Sequence, residues 1–353
     1  MNSKRKIVLK FISISILFLL FSVYIRNPVL MAAENNNIYR SMVFGVTIDD
    51  ACYHVPNMSY GSINLQNSLK EVDKAVELGV DFVRIDLRDE TLRYPGEINK
   101  LDRIISYARS RKLKIYIGAY GMQSWLPGSI SVLLNHLDGG AGIANWNEFK
   151  RMYRNEITYL ANRYHPDYMM IMVELRFNLG NEVNSVRSIE EWVQFTKSLA
   201  DLIKSISPRT KIVLNEIAQR NTVLNNIAYI RAIMQDNYQK IDIIGIDPYS
   251  YEALKDGVST IVKFEKEFNW HGEIWIGETN LFKFNDVREQ RNYFIYAINL
   301  ALRNGFSGFC IFYFRDGSGT TKNTGILYEN FEPKPAYNVI KQMLRWRKLV
   351  NIL

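Results

Sequence analysis

The chain has 353 residues, 47% hydrophobic and 13% aromatic, enough to bury a large core in one big domain or two small ones. Its formal charge of +8 is unevenly placed: Lys4, Arg5, Lys6, Lys10 and Arg26 supply five charges before the first acid, Glu34, and leave +3 for the remainder. That remainder offers no clustered basic face to neutralise phosphates, so no nucleic-acid partner is expected.

The first element is a targeting segment. A basic start, "MNSKRK", precedes "FISISILFLLFSVYI", fifteen residues without a charge, and the whole of 1–37 reads as a signal peptide or signal anchor. Ala32 and Ala33 could be cleavage residues, but Leu30 or Met31 stands where a small residue is preferred, so cleavage stays open. The positive flank places the body of the protein outside the cytoplasm. An extracellular or cell-surface location is expected, with the membrane as a partner if the segment is uncleaved.

From residue 38 to 353 one pattern recurs: a short β-rich run, a loop, an amphipathic helix, then another run. The strand candidates are 42–49, 81–87, 114–120, 167–175, 211–217, 241–249, 273–279 and 308–314. Between them, Phe149, Met152, Tyr153, Ile157, Leu160, Ala161 and Tyr164 repeat at the helical period over 148–164. "SLKEVDKAVELG" does the same with Leu69, Val72, Ala75 and Val76, then stops at Gly79 as a helix C-terminus should. Strands this apolar, alternating with helices, belong to a parallel sheet covered on its outside. Eight such units predict a (β/α)₈ TIM barrel in a single domain. The alternative, an open doubly wound sheet, would normally carry a Gly-rich phosphate turn after an early strand, and "TIDDACYH" has none.

In such a barrel the C-terminal strand ends carry the site. Strand two brings Arg84, Asp86 and Arg88 there, strand three Tyr120, strand four Glu174, and strand five Asn215 and Glu216. Strand six brings Asp247 and Tyr249, strand seven Glu278, and strand eight Arg315 and Asp316. Two carboxyl groups held over a common hollow are what glycoside hydrolysis needs, one to protonate the leaving oxygen and one to attack or to activate water. The four histidines (His54, His136, His165, His271) are scattered, and two cysteines, Cys52 and Cys310, are too few for a Cys-based zinc site. Neither metal nor cofactor is expected.

The order of these motifs resembles the clan A retaining glycoside hydrolases, the superfamily of cellulases and galactanases, over residues 42–340. "FVRI" is similar to the clan's arginine near the nucleophile, at Arg84. "IDPYS" is similar to the tyrosine that hydrogen-bonds the nucleophile, at Tyr249. "WIGETN" resembles the nucleophile strand, at Glu278, and "GILYENFEPKPAY" (325–337) the closing segment. The resemblance implies Glu174 as acid/base and Glu278 as nucleophile, acting on a polysaccharide or oligosaccharide with β linkages. Two positions depart from the clan's pattern: Val173 replaces the Asn before the strand-four acid, and the strand-eight Trp is replaced within "FYFRD".

Asn181-Glu182 competes for the acid by its letters. Position favours Glu174, which lies seven residues after Asp167, about 23 Å of strand, whereas Glu182 falls in the loop. Glu216 is read as a substrate contact or a residue behind one. Tyr120, Trp125 and Trp146 offer flat faces for stacking on sugar rings. The rival function is a surface carbohydrate-binding barrel without turnover.

Overall fold

The computed structural model describes residues 41–51, 63–87, 94–119, 146–173, 188–218, 228–317 and 323–350. Within them eight strands run in chain order: β1 Val43–Thr47, β2 Phe82–Leu87, β3 Lys114–Ala119, β4 Tyr168–Val173, β5 Lys211–Ile217, β6 Ile243–Asp247, β7 Glu273–Thr279 and β8 Gly308–Ile311. All neighbouring pairs are parallel, and β1 returns to β8 with Val43 opposite Gly308 and Val46 opposite Ile311. The sheet is therefore a closed (β/α)₈ barrel, and the open sheet is excluded.

Among the described residues eight α-helices alternate with the strands: α1 Leu65–Leu78, α2 Pro95–Ser110, α3 Trp146–Tyr164, α4 Ile189–Ile206, α5 Ala228–Asp236, α6 Tyr251–Phe268, α7 Val287–Arg303 and α8 Pro335–Val350. Their ends follow local chemistry. The Asn64 side chain accepts from the Asn67 amide to start α1, and Gly79, at φ +93°, closes it by donating to the Ala75 carbonyl. Ser188 and Glu191 form a reciprocal capping box on α4. On α3 the predicted face is buried at Tyr153, Ile157, Leu160, Ala161 and Tyr164, while the side chains of Phe149 and Met152 lie outside the described residues.

Alternation along each strand splits the core in two. Phe82, Tyr116, Tyr168, Met170, Val213, Ile243, Trp275 and Cys310 fill the barrel interior. Their neighbours Val83, Ile117, Met169, Ile212, Ile244, Ile276 and Ile311 face the helices. The interior is plugged by aromatic contacts, Phe82 stacking on Trp275 with centroids 5.6 Å apart. The N-terminal end of the barrel is polar: Glu273 pairs with Lys211 and accepts from Trp275 Nε1 at 2.9 Å and Ser307 Oγ at 2.8 Å. Arg347 of α8 grips Asp81 with two bonds of 2.7 and 2.8 Å, fastening the last helix beneath β1 and β2.

Among the described residues no helix is long and apolar enough to cross a membrane; the segment 1–37 lies outside them.

Candidate active site

Above the aromatic plug the interior turns polar. Arg84 on β2 is fully buried. Its Nε donates to Asp86 Oδ1 at 2.7 Å, and its Nη1 reaches across the barrel to Glu278 Oε2 at 3.1 Å and the Gly277 carbonyl at 3.4 Å. The guanidinium lies 5.4 Å from the Tyr116 ring centroid and 5.9 Å from that of Phe312. One cation thus stands between carboxylates from β2 and β7, each almost wholly removed from water. Two such charges are tolerated in a dry interior only when paired and well oriented.

Glu278 owes its direction to a backbone irregularity. Trp275 faces inward and Ile276 outward, so strict alternation would turn Glu278 to the helices. Between Ile276 and Thr279 the pairing with β8 slips by one residue. After that bulge Thr279 takes the outward place, its hydroxyl donating to the Pro248 carbonyl at 2.6 Å and bonding Tyr293 of α7. Glu278 is left on the inside, against Arg84. A matching slip lies on β4 between Met170 and Val173, just ahead of Glu174 in the chain.

Close approaches make room for this layer. A Cβ on Gly118 would meet Asp86 Oδ1 at 2.1 Å, and one on Gly277 would meet Asn215 Nδ2 at 2.2 Å. Asn215 sits inside on β5, and neither its amide nitrogen nor its oxygen has a protein hydrogen-bond partner. Asp247, at the end of β6, is fully buried, and its charge is felt at the Tyr116 hydroxyl. Burial pushes the Tyr116 phenol far above its ordinary value against the opposing pull of Arg84, and burial likewise pushes the Cys310 thiol up. Both stay protonated, so Tyr116 offers a neutral hydroxyl to the layer.

The mouth beside β6–β8 is aromatic. Tyr249 stacks on Phe282 with centroids 4.1 Å apart and lies 6.1 Å from Phe312, which in turn packs 4.2 Å from Tyr313. Tyr313 holds φ +56°, a conformation unusual for a bulky residue. Asn280 locks this turn from below, its Nδ2 donating to the carbonyls of Phe312 and Thr324 at 2.5 and 2.7 Å. Asp49, in the short turn after β1, does so as well, accepting from the Arg315 amide at 2.9 Å.

Arg84, Glu278 and Tyr249 therefore all belong to the C-terminal end of the barrel. Glu174, its competitor Glu182, Tyr120 and Trp125 lie outside the described residues, as does Cys52. Glu216 is corrected. It alternates with inward Asn215 onto the outer face of β5, where its charge is felt by Tyr229 of α5, and this direction removes it from substrate contact. Trp146 is also corrected: its ring packs edge-on against Trp192 and Phe195 of α4, at 4.7 and 5.4 Å, within the helical layer. Arg315 and Asp316 turn away as well, into buried pairs with Glu71 and Lys334. Asp86, Asn215 and Asp247 complete the inward set; the sequence marks each of the three only by its place at a strand end. Among the described residues no group of three or more His, Cys, Asp or Glu side chains is arranged to hold a metal ion.

Solved structures share this barrel fold. A β-glucosidase from Thermotoga maritima, solved with azafagomine, superposes with a TM-score of 0.65 at 12% identity, over 87% of this chain and 98% of that one. GH5_18 from Streptomyces cattleya, solved with GlcNAc, gives 0.65 at 14% identity over 88% and 81%. An exo-β-1,4-mannosidase from Opitutaceae bacterium strain TAV5 gives 0.62 at 14% identity; it is matched by 87% of this chain, which spans 60% of its length. The chain has the barrel fold of these glycosidases. Neither a family model nor a curated protein matches its sequence.

Proposed function

We propose that this protein hydrolyses a β-linked glycan with retention of configuration, with Glu278 as nucleophile and Glu174 as general acid and then base. The observation that carries the reading is the buried Glu278, turned inward by the β7 bulge and held by Arg84 at the C-terminal end of the barrel. A Glu278 oxygen attacks the anomeric carbon as the glycosidic C–O bond breaks, and Glu174 gives its proton to the departing oxygen. Glu174 then takes a proton from the water that displaces Glu278, releasing the sugar and restoring both groups. Arg84 fixes the nucleophile's orientation through both steps. Tyr249, with Tyr120 and Trp125, supplies substrate contacts. The barrel folds of the glucosidase, the mannosidase and GH5_18 support the substrate class, and the basic-then-apolar segment 1–37 supports export or a hold on the cell surface.

The test is Glu278→Gln on a panel of p-nitrophenyl β-glycosides and polysaccharides, with binding measured beside turnover. Turnover is expected to vanish while fold and binding persist; a variant keeping more than about a tenth of wild-type kcat on its best substrate sinks the assignment. The second reading, a binding barrel without turnover, is favoured by Val173 ahead of Glu174 and by the Phe312–Tyr313 pair after β8. It would show as wild-type binding with no hydrolysis.

A further inference from the structure

A separate cleft of about 700 Å³ opens between the segment after β7 and the segment after β8. Phe282, Phe284 and Asn285 form one wall, and Tyr328, 39% exposed, stands on the other. At its base Lys334 Nζ donates to Asp316 at 2.7 Å and to the Asn323 carbonyl at 3.0 Å. The lining therefore combines the exposed Tyr328 and the half-buried Phe282 and Phe284 with amide groups, the exposed Lys283 ammonium and the Lys334–Asp316 ion pair. Flat apolar faces beside a few polar donors and acceptors suit a pyranose ring, which has both apolar faces and hydroxyl groups.

The wall carrying Tyr328 is built to hold its shape. Arg315 donates to the Glu329 carbonyl at 3.1 Å while paired with buried Glu71 at 3.2 Å, and Gln290 donates to the Thr324 carbonyl at 2.6 Å. Three buried side chains, Arg315, Lys334 and Gln290, are thus committed to one short surface loop, the segment 323–334. Such bracing removes ordering cost from binding.

Phe282 belongs both to this cleft and to the aromatic mouth. It stacks on Tyr249, Tyr249 neighbours Phe312, and the Phe312 ring lies 5.9 Å from the guanidinium that holds Glu278. A chain of ring contacts through Tyr249 and Phe312 thus links the cleft wall to the arginine that holds Glu278.

We propose that this cleft is a distal subsite for a β-linked oligosaccharide whose reacting bond lies over Glu278. The inference rests on the glycan reading above and adds to it that the substrate spans several sugar units. A ladder of β-1,4-linked gluco-, manno- and xylo-oligosaccharides of two to six units tests it by calorimetry on the Glu278→Gln protein, where no turnover is required. Affinity should rise with length in at least one series. Phe284→Ala, Tyr328→Ala and Asn285→Ala, each checked for an unchanged melting temperature, should each cut the affinity for the longest member by roughly fivefold to tenfold relative to the disaccharide. Asn285→Ala removes an exposed amide and no packing, so it reports even if an aromatic variant folds poorly. Affinity that stops growing at the disaccharide, growth that the three variants leave untouched, or no binding in any series overturns the subsite. Length-dependent binding without hydrolysis by the wild type would instead keep the subsite and overturn the catalytic reading.

Discussion

Arg84 Nη1 lies 3.1 Å from Glu278 Oε2, although the two residues come from β2 and β7 and meet only because the barrel closes. Removing the cation leaves Asp86 and Glu278 facing each other in a space that excludes water. Arg84→Met should therefore lower unfolding free energy by about 3–5 kcal/mol, read from urea midpoints. Arg84→Lys keeps the charge but not the fork that serves both carboxylates, so it should retain most stability while kcat/KM falls about tenfold or more. Equal stability of all three proteins would show the pair to be energetically idle.

Gly277 presents a second steric dependence. A side chain there would meet the Asn215 amide at 2.2 Å. Gly277→Ala should cost about 1–3 kcal/mol by overpacking. Adding Asn215→Ala should return a large part of that loss, giving a coupling of about 0.5–3 kcal/mol in a double-mutant cycle. Additive effects would mean that the two residues do not share the space.

The barrel rhythm was legible because each unit carries its own punctuation: Gly79 ends α1, and Val/Ile-rich runs mark β2 and β6. Strand ends were less so. Letters suited to a strand continue through Phe312, Tyr313 and Phe314, yet β8 stops at Ile311 and Tyr313 turns left-handed. Which face of β5 looks inward could not be read, since both faces of a covered parallel strand are apolar, and the choice between Asn215 and Glu216 went to the wrong neighbour. The bulge that turns Glu278 inward leaves one sequence trace, the isolated Gly277 in a strand.

Lys334 and Asp316 form a buried pair whose burial pushes the carboxyl of Asp316 up and the ammonium of Lys334 down. Desolvation thus acts against both charges, and the hydrogen bond and attraction between them offset it only in part. Lys334→Met alone should cost about 3 kcal/mol, since it strands the carboxylate. Lys334→Met with Asp316→Leu should recover at least half of that loss, measured by thermal unfolding. A double variant less stable than the single one would contradict this balance.

Acid should weaken the N-terminal end of the barrel. Burial raises the Glu273 carboxyl, but hydrogen bonds from Lys211, Trp275 and Ser307 outweigh it and hold the group below its ordinary value. A carboxyl lowered in the folded state contributes stability that is present above its unfolded pKa and lost as pH falls through the folded one. Urea midpoints should therefore decline as pH falls below about 4.5, and Glu273→Gln should flatten that decline. An identical pH slope in both proteins would place the acid sensitivity elsewhere.

As nucleophile, Glu278 forms a covalent bond to the sugar during each turnover. A 2-deoxy-2-fluoro β-glycoside with a good leaving group, matched to the best substrate, slows release of a glycosyl-enzyme more than its formation. Digestion and mass spectrometry of the inactivated protein should find the added sugar on the peptide spanning 272–280, at Glu278, and none on that peptide in Glu278→Gln. A label on another carboxylate, or inactivation with no covalent label, would contradict the account.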